Sequence, residues 1–384
     1  MTAHNDLIDP NDLGTDSRAE VSADPSNQYP HDQGDETKKR NWKMIINWLT
    51  VFALLVLVWA IRDQLVGTFS NLGRVHAALL LLLIPVEVLN YHAQAKLYQG
   101  LFAQVGNKLS YKFLLRTSVE LNFVNHVFPS GGVTGISYFG LRMRRGQDIT
   151  GAKATLIQVM KLALTFLSFE VLIIIGMISL AAFGRVNNLV ILVASSLSTL
   201  LLVGTLGFVY VVGSKARINA FFTGVTKVLN RLIQLVRPKH PETFNIDRAR
   251  TTFDDFHDNY QQLKTGWRQL RGPFGWAFVM NLTEVLAVYV VYLAFGEVVN
   301  FGAIILAYAI ANFAGLVSVL PGGVGVYEAL MTAVLASTGI PAGVSLPVTV
   351  MYRVLNTLIQ LPPGYYFYHK NLANKSRLGP ADGA

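Results

Sequence analysis

The chain has 384 residues, 52% of them hydrophobic and only 14% charged, and several apolar runs reach about 18 residues or more, which places it in the membrane class and excludes an ordinary soluble core. Its formal charge of +9 is uneven: residues 1–37 hold nine carboxylates against Arg18, a net of −8, which leaves +17 for the rest. Such positive charge marks cytoplasmic loops and lipid headgroup contacts, no aromatic-interleaved basic module points to nucleic acid, and the absence of cysteine excludes disulfides, thiol nucleophiles and thiolate metal sites.

Residues 1–43 form an acidic tail without apolar period, expected to be disordered, that ends in the basic residues Lys38, Lys39, Arg40 and Lys43. Met44 to Ile61 follows, roughly 27 Å of helix, and reads as a signal-anchor-like first span with its amino end inside. The run from His76 to Tyr98 carries Glu87, Asn90, His92, Gln94 and Lys96, too many polar groups for a lipid-facing helix, so it faces protein or water. Phe113 to Phe128 is short for a span and holds Arg116, Glu120, Asn122, Asn125 and His126; Pro129-Ser130-Gly131-Gly132 then breaks it, and the chain resumes to Leu141 before Arg142, Arg144 and Arg145. Basic residues on both sides predict a re-entrant hairpin entered from the cytoplasm.

Lys153 to Ala182 and Asn188 to Val212 are long spans. Residues 214–271 carry eleven Lys or Arg against five carboxylates, with apolar seams that predict an amphipathic helical hairpin at the cytoplasmic interface. Pro273 to Gly296 spans again. Phe301 to Leu320 runs into Pro321-Gly322-Gly323-Val324-Gly325-Val326-Tyr327-Glu328, the helix resumes over Val326 to Ser337, and Pro347 to Tyr368 is the last span before a short cytoplasmic tail, residues 371–384.

The two broken segments share an order of residues. Glu87-Val88-Leu89 matches Glu284-Val285-Leu286, Asn122-Phe123 matches Asn312-Phe313, Gly131-Gly132-Val133 matches Gly322-Gly323-Val324, and Lys161 falls opposite Arg353. The charge bias gives the two copies opposite orientation. The expected fold is therefore all-α, a polytopic membrane bundle with two inverted repeats, each with a broken re-entrant hairpin, within residues 44–370. That is the sequence mark of an alternating-access transporter whose site lies near the midplane.

Each Gly-Gly precedes a half-helix whose first amides and positive dipole end suit an anion, above all a phosphate; the competing reading is a tight turn that permits close packing. Arg353 sits mid-span with Asn356, Thr357 and Gln360 on its face, at an insertion cost of about 2.5–3.5 kcal/mol, so it is either partnered by Glu328 or Glu284 or set in a pathway. Lys161 is weighed in the same way, with Thr165 and Ser168 on its face. Glu328, in the first turn of the second half-helix, favours its dipole and reads equally as a structural cap or as a functional carboxylate. Glu87 and Glu284 either pair the cations or exchange protons. Glu120 and Arg116, four apart, are expected to neutralise each other. His92 and His126 lack the spaced ligands of a metal site, and without a Gly-x4-Gly-Lys-Ser/Thr loop no ATP site is expected; no cofactor and no enzymatic constellation emerge.

The stretch Asn122 to Gln147, with its Asn-Phe-Val-Asn-His-Val-Phe-Pro-Ser-Gly-Gly and arginine-rich exit, the stretch Pro321 to Ala329, and Arg353 about thirty residues later resemble the lysylphosphatidylglycerol synthase transmembrane-region family, also described as flippase-like membrane proteins. The resemblance covers roughly residues 45–370. It implies a multi-pass protein of the inner or plasma membrane that moves an anionic phospholipid or polyprenyl-phosphate headgroup between leaflets, with both termini cytoplasmic. The phosphate would fall to Arg353, Lys161 and the half-helix amides after Gly131, Gly132, Gly322, Gly323 and Gly325, with Asn122, Asn125, Asn312, Asn356 and Arg145 nearby, while Glu87, Glu284 and Glu328 hold the cations in register. The full synthases carry a large soluble transferase domain after the membrane part; here only the short tail follows, so synthase activity has no expected place. The alternative is a non-transporting subunit that anchors a lipid-modifying or glycosyl-transferring enzyme, and a homo-oligomer fits either reading.

Overall fold

In the computed structural model the described residues are 75–128, 133–220, 267–317 and 325–374, with isolated positions at 62–63, 66–67, 73 and 223–224. The acidic tail, the first span at 44–61, most of the predicted hairpin at 214–271 and both Gly-Gly motifs lie outside them, as does the chain beyond 374.

After a turn of helix at Ala77–Leu80 come α1 (Leu83–Gln104), α2 (Tyr111–Val127), α3 (Val133–Gln147), α4 (Gly151–Ala182), α5 (Asn188–Val212), a 3-10 turn (Trp267–Leu270), α6 (Arg271–Ala294), α7 (Phe301–Val317), α8 (Val326–Ser337) and α9 (Ala342–Asn374). Short polar side chains set several starts. Ser110, Thr150 and Asn187 accept hydrogen bonds from the amides of Phe113, Lys153 and Val190, and Asn300 accepts from Gly302 and Ala303, so the first orphan amides of α2, α4, α5 and α7 are satisfied. At α8 the residue before the helix is Gly325 with φ +87°, a left-handed conformation that favours glycine, and Glu328 closes the first turn from within.

Among the described residues, five helices are long and apolar enough to cross a membrane: α1 with its preceding turn, α4, α5, α6 and α9. The protein is a polytopic helical membrane protein. Helix α9 runs through Pro347, Pro362 and Pro363 without a break, a longer element than the predicted Pro347 to Tyr368.

The packing brings α1 against α6, α2 against α9, and α4 against α7; α1 also meets α2, α4 and α9, α6 meets α4, α7 and α9, and α3 and α8 each bridge their neighbours in sequence. Small residues permit the closest crossings: a side chain at Gly302 of α7 would run into the Gly176 carbonyl of α4, and one at Gly100 of α1 would meet Pro273 of α6 at 2.8 Å.

Contacts between connections define two ends of the bundle. At one, Lys153 Nζ donates to the Val105 carbonyl and to Asn107, and Asn371 reaches Glu120 and Tyr138. At the other, the His76 amide donates to the Ala294 carbonyl, and Arg185 and Asn187 donate to the Thr338 and Ser337 carbonyls. Lys108, Lys112, Arg144, Arg145, Lys153, Lys215, Arg268, Arg271 and Lys370 belong to segments at the first end; at the second, Arg185 is the basic counterpart among the described residues.

Two large apolar clusters fill the bundle, and a polar layer separates them. On α1 the clusters stop at Leu83 and resume at Ala93, on α6 the gap runs from Met280 to Val285, and on α4 from Leu164 to Phe169. Glu87 and Asn90, then Asn281, Thr283 and Glu284, then Thr165 and Ser168 fall into those gaps.

Candidate functional site

Glu87, Lys161, Glu284 and Arg353 each sit ten or eleven residues from an end of their helix, counting α1 from its preceding turn. At 1.5 Å per residue that is about 15 Å, half the roughly 30 Å of a hydrocarbon core. Residues far apart in sequence thus meet at one depth.

Arg353 of α9 forms an ion pair with Glu328 of α8, its guanidinium lies 4.8 Å from the Tyr327 ring centroid, and Glu328 Oε2 accepts from the Gly325 amide at 2.7 Å. One oxygen of Glu328 thus caps the helix and the other holds the cation. Glu284 is not the partner of Arg353. It accepts from Tyr352 Oη at 3.0 Å and from Asn90 Nδ2 at 3.1 Å, and Asn90 also reaches the Met280 carbonyl and Thr283. Lys161 lies within the field of Glu284 and places Nζ 5.1 Å from the Tyr98 ring centroid, a cation–π arrangement in which the ring takes up part of the cost of desolvation. Both cations are half-buried.

Other expected members are placed differently. Thr165 and Ser168 do not serve Lys161: Asn281 of α6 donates to the Thr165 carbonyl and to Ser168 Oγ, a structural link between α4 and α6. Glu120 pairs with Arg142 of α3 at 2.9 Å and accepts from Tyr138 at 2.7 Å, whereas Arg116 lies over the Phe367 ring; a neighbouring helix offers the better donor geometry than the same-helix arginine. Asn122 is half-buried beside Tyr91 and Asn356 approaches Tyr352 Oη at 3.5 Å, while Asn312 is half-buried on α7 without a hydrogen bond to another described residue. Asn125 is exposed and its amide packs on Gly135, and Arg145 is exposed at the basic end, away from the centre. Gly131, Gly132, Gly322 and Gly323 lie outside the described residues. His92 meets Tyr111 Oη at 2.8 Å.

Sequence reasoning missed Asn90, Tyr98, Tyr327 and Tyr352 as participants. Asn90 had a signal, one turn from Glu87 on the same face; the tyrosines had none, because an aromatic in a membrane helix looks like any other apolar neighbour.

Glu87 is the exception in this layer. It is 5% exposed, no cation among the described residues lies within ion-pair distance of it, and its Oε1 has no hydrogen-bond partner. The expectation that it holds a cation in register is not met, because α9 turns Arg353 toward α8 and Lys161 sits nearer Glu284.

Comparison with known proteins matches residues 44–364 to the family described as "Lysylphosphatidylglycerol synthase TM region". A UPF0104 membrane protein of Methanothermobacter thermautotrophicus is 26% identical over 162 residues, which is 36% of this chain and 48% of that protein. A UPF0104 membrane protein of Pyrococcus horikoshii is 23% identical over 117 residues, 30% of this chain and 35% of the relative. The chain thus spans half or less of the length of these curated relatives.

Proposed function

The chain belongs to the lysylphosphatidylglycerol synthase TM-region family, and from that premise we propose that it moves an anionic phospholipid or polyprenyl-phosphate-linked headgroup between the leaflets of the cell membrane. The observation that carries this reading is the Glu328 carboxylate, which takes both the Arg353 guanidinium and the Gly325 amide at the start of α8. Those are the two donors a phosphate would use at a helix amino terminus, so Glu328 holds the place of the headgroup and exchanges with it. Lys161 supplies the second cation, and Glu284, braced by Asn90 and Tyr352, keeps it at midplane depth.

Three features support alternating access. If α1 to α4 correspond to α6 to α9, every pair in contact within or between the copies has its counterpart also in contact: α2–α9 with α7–α4, α1–α4 with α6–α9, and α1–α9 with α6–α4. The two cations occupy corresponding helices. The basic end of the bundle fits a cytoplasmic placement of the chain ends, with α2–α3 re-entrant from that side and α7–α8 from the other. In this reading the chain performs no covalent chemistry.

Leaflet-resolved movement of a labelled anionic lipid in proteoliposomes tests it. Arg353→Ala and Gly323→Leu abolish movement. The paired variant Arg353→Gln with Glu328→Gln keeps a neutral hydrogen-bonded contact, folds, and still moves no lipid. Undiminished movement in the paired variant overturns the site; a purified wild type that moves no lipid but retains a lipid-modifying enzyme favours the anchoring subunit instead.

A further inference from the structure

In the central layer Arg353 pairs with Glu328 and Lys161 lies in the field of Glu284, while no cation among the described residues lies within ion-pair distance of Glu87.

Beside Glu87 stand two more oxygens in the same condition. Gln360 of α9 and Tyr91 of α1, one turn beyond Glu87, both adjoin the Glu87 carboxylate. All three residues are more than nine-tenths buried, at 5% exposure for Glu87, 6% for Tyr91 and 3% for Gln360. Glu87 Oε1, Tyr91 Oη and Gln360 Oε1 have no hydrogen-bond partner among the described residues. Buried oxygens without donors are rare in folded proteins, and three converging from two helices at mid-depth point to a ligand that accepts oxygen lone pairs.

The donor set restricts that ligand. Oxygen-only ligation suits a hard cation, and soft or imidazole-preferring metals are disfavoured. No group of three or more His, Asp or Glu gathers among the described residues to ligate a divalent ion, and the neighbouring carboxylate, Glu284, already has Lys161 in its field, which leaves the single charge of Glu87 to be matched. A water molecule donates hydrogen bonds but leaves the negative charge of Glu87 uncancelled, whereas a monovalent cation satisfies the oxygens and cancels that charge.

We propose that Glu87, Tyr91 and Gln360 form a binding site for a monovalent alkali cation between α1 and α9, separate from the headgroup donors. Asn90, one turn from Glu87, donates to Glu284, so occupancy of the cation site is transmitted to the carboxylate that faces Lys161. That coupling rests on the transport reading above; cation binding does not.

The test uses the full chain in detergent with radiolabelled sodium, alongside thermal unfolding in sodium, potassium and choline chloride at equal ionic strength. Saturable sodium binding is expected, with a higher Tm in sodium or potassium than in choline. Glu87→Gln, which keeps the shape and removes the charge, lowers the affinity by about tenfold or more, and Tyr91→Phe weakens it less. Equal Tm in all three salts overturns the site, as does sodium binding unchanged in Glu87→Gln. Stabilisation by acid in choline with no response to sodium also overturns it, assigning a carboxyl proton hydrogen-bonded to Gln360 instead. A wild type that binds sodium but moves no lipid refutes the transport reading and leaves the cation site standing.

Discussion

Glu328 does two jobs at one position, and their energies separate by substitution. Its Oε2 caps α8 and its Oε1 compensates a guanidinium in the middle of the bundle. Glu328→Ala removes both and takes its carboxylate from the partly buried Arg353, so a loss of about 3–5 kcal/mol is expected in reversible denaturation, since breaking a buried pair costs far more than its net worth. Glu328→Gln keeps a cap acceptor and costs markedly less. Asn90 offers a second test at this scale, because its amide serves three acceptors, Met280, Thr283 and Glu284. Asn90→Leu removes one donor from each, while Thr283 still donates to the Met280 carbonyl and Tyr352 to Glu284, so a total loss of about 1–3 kcal/mol is expected, read as a lowered denaturation midpoint.

Between helices, the α4–α7 crossing is the least forgiving. Gly302 faces the Gly176 carbonyl across the contact, and backbone cannot swing aside as a flexible side chain can. Gly302→Ala is therefore expected to destabilise by about 1–3 kcal/mol, whereas Gly275→Ala, on α6 with open space where the methyl would go, leaves stability unchanged or slightly raised; thermal unfolding of both variants checks the contrast. Helix α9 persists through Pro362 and Pro363 because α2 packs along it, with Phe123 lying against Gly364. In lipid, such neighbours are what make an interior proline tolerable.

At the scale of the molecule, the concentration of basic residues at one end predicts its placement on the cytoplasmic side. The natural absence of cysteine makes the check direct. Single cysteines at Phe183 and Val298, both exposed at the opposite end, should react with an impermeant maleimide on intact cells; cysteines at Arg144 and Gly272 should react only after lysis. The reverse pattern would invert the assignment.

Composition and periodicity alone determined the class, the spans among the described residues and several helix limits: Asn188–Val212 and Val326–Ser337 agree to the residue, because apolar length and flanking charge are local properties. The mid-membrane charges were also legible, since an arginine or glutamate in an apolar run stands out. Which charge meets which was not. Glu120 has Arg116 one turn away yet pairs with Arg142, and Arg353 takes Glu328 while Glu284 goes to Asn90 and Tyr352. Partnership depends on the rotation of each helix about its own axis and on which neighbour it faces, and neither is encoded in local spacing. The tertiary structure alone decided that Glu87 would be left with bare oxygens beside Gln360, because that juxtaposition joins α1 to α9 across most of the chain.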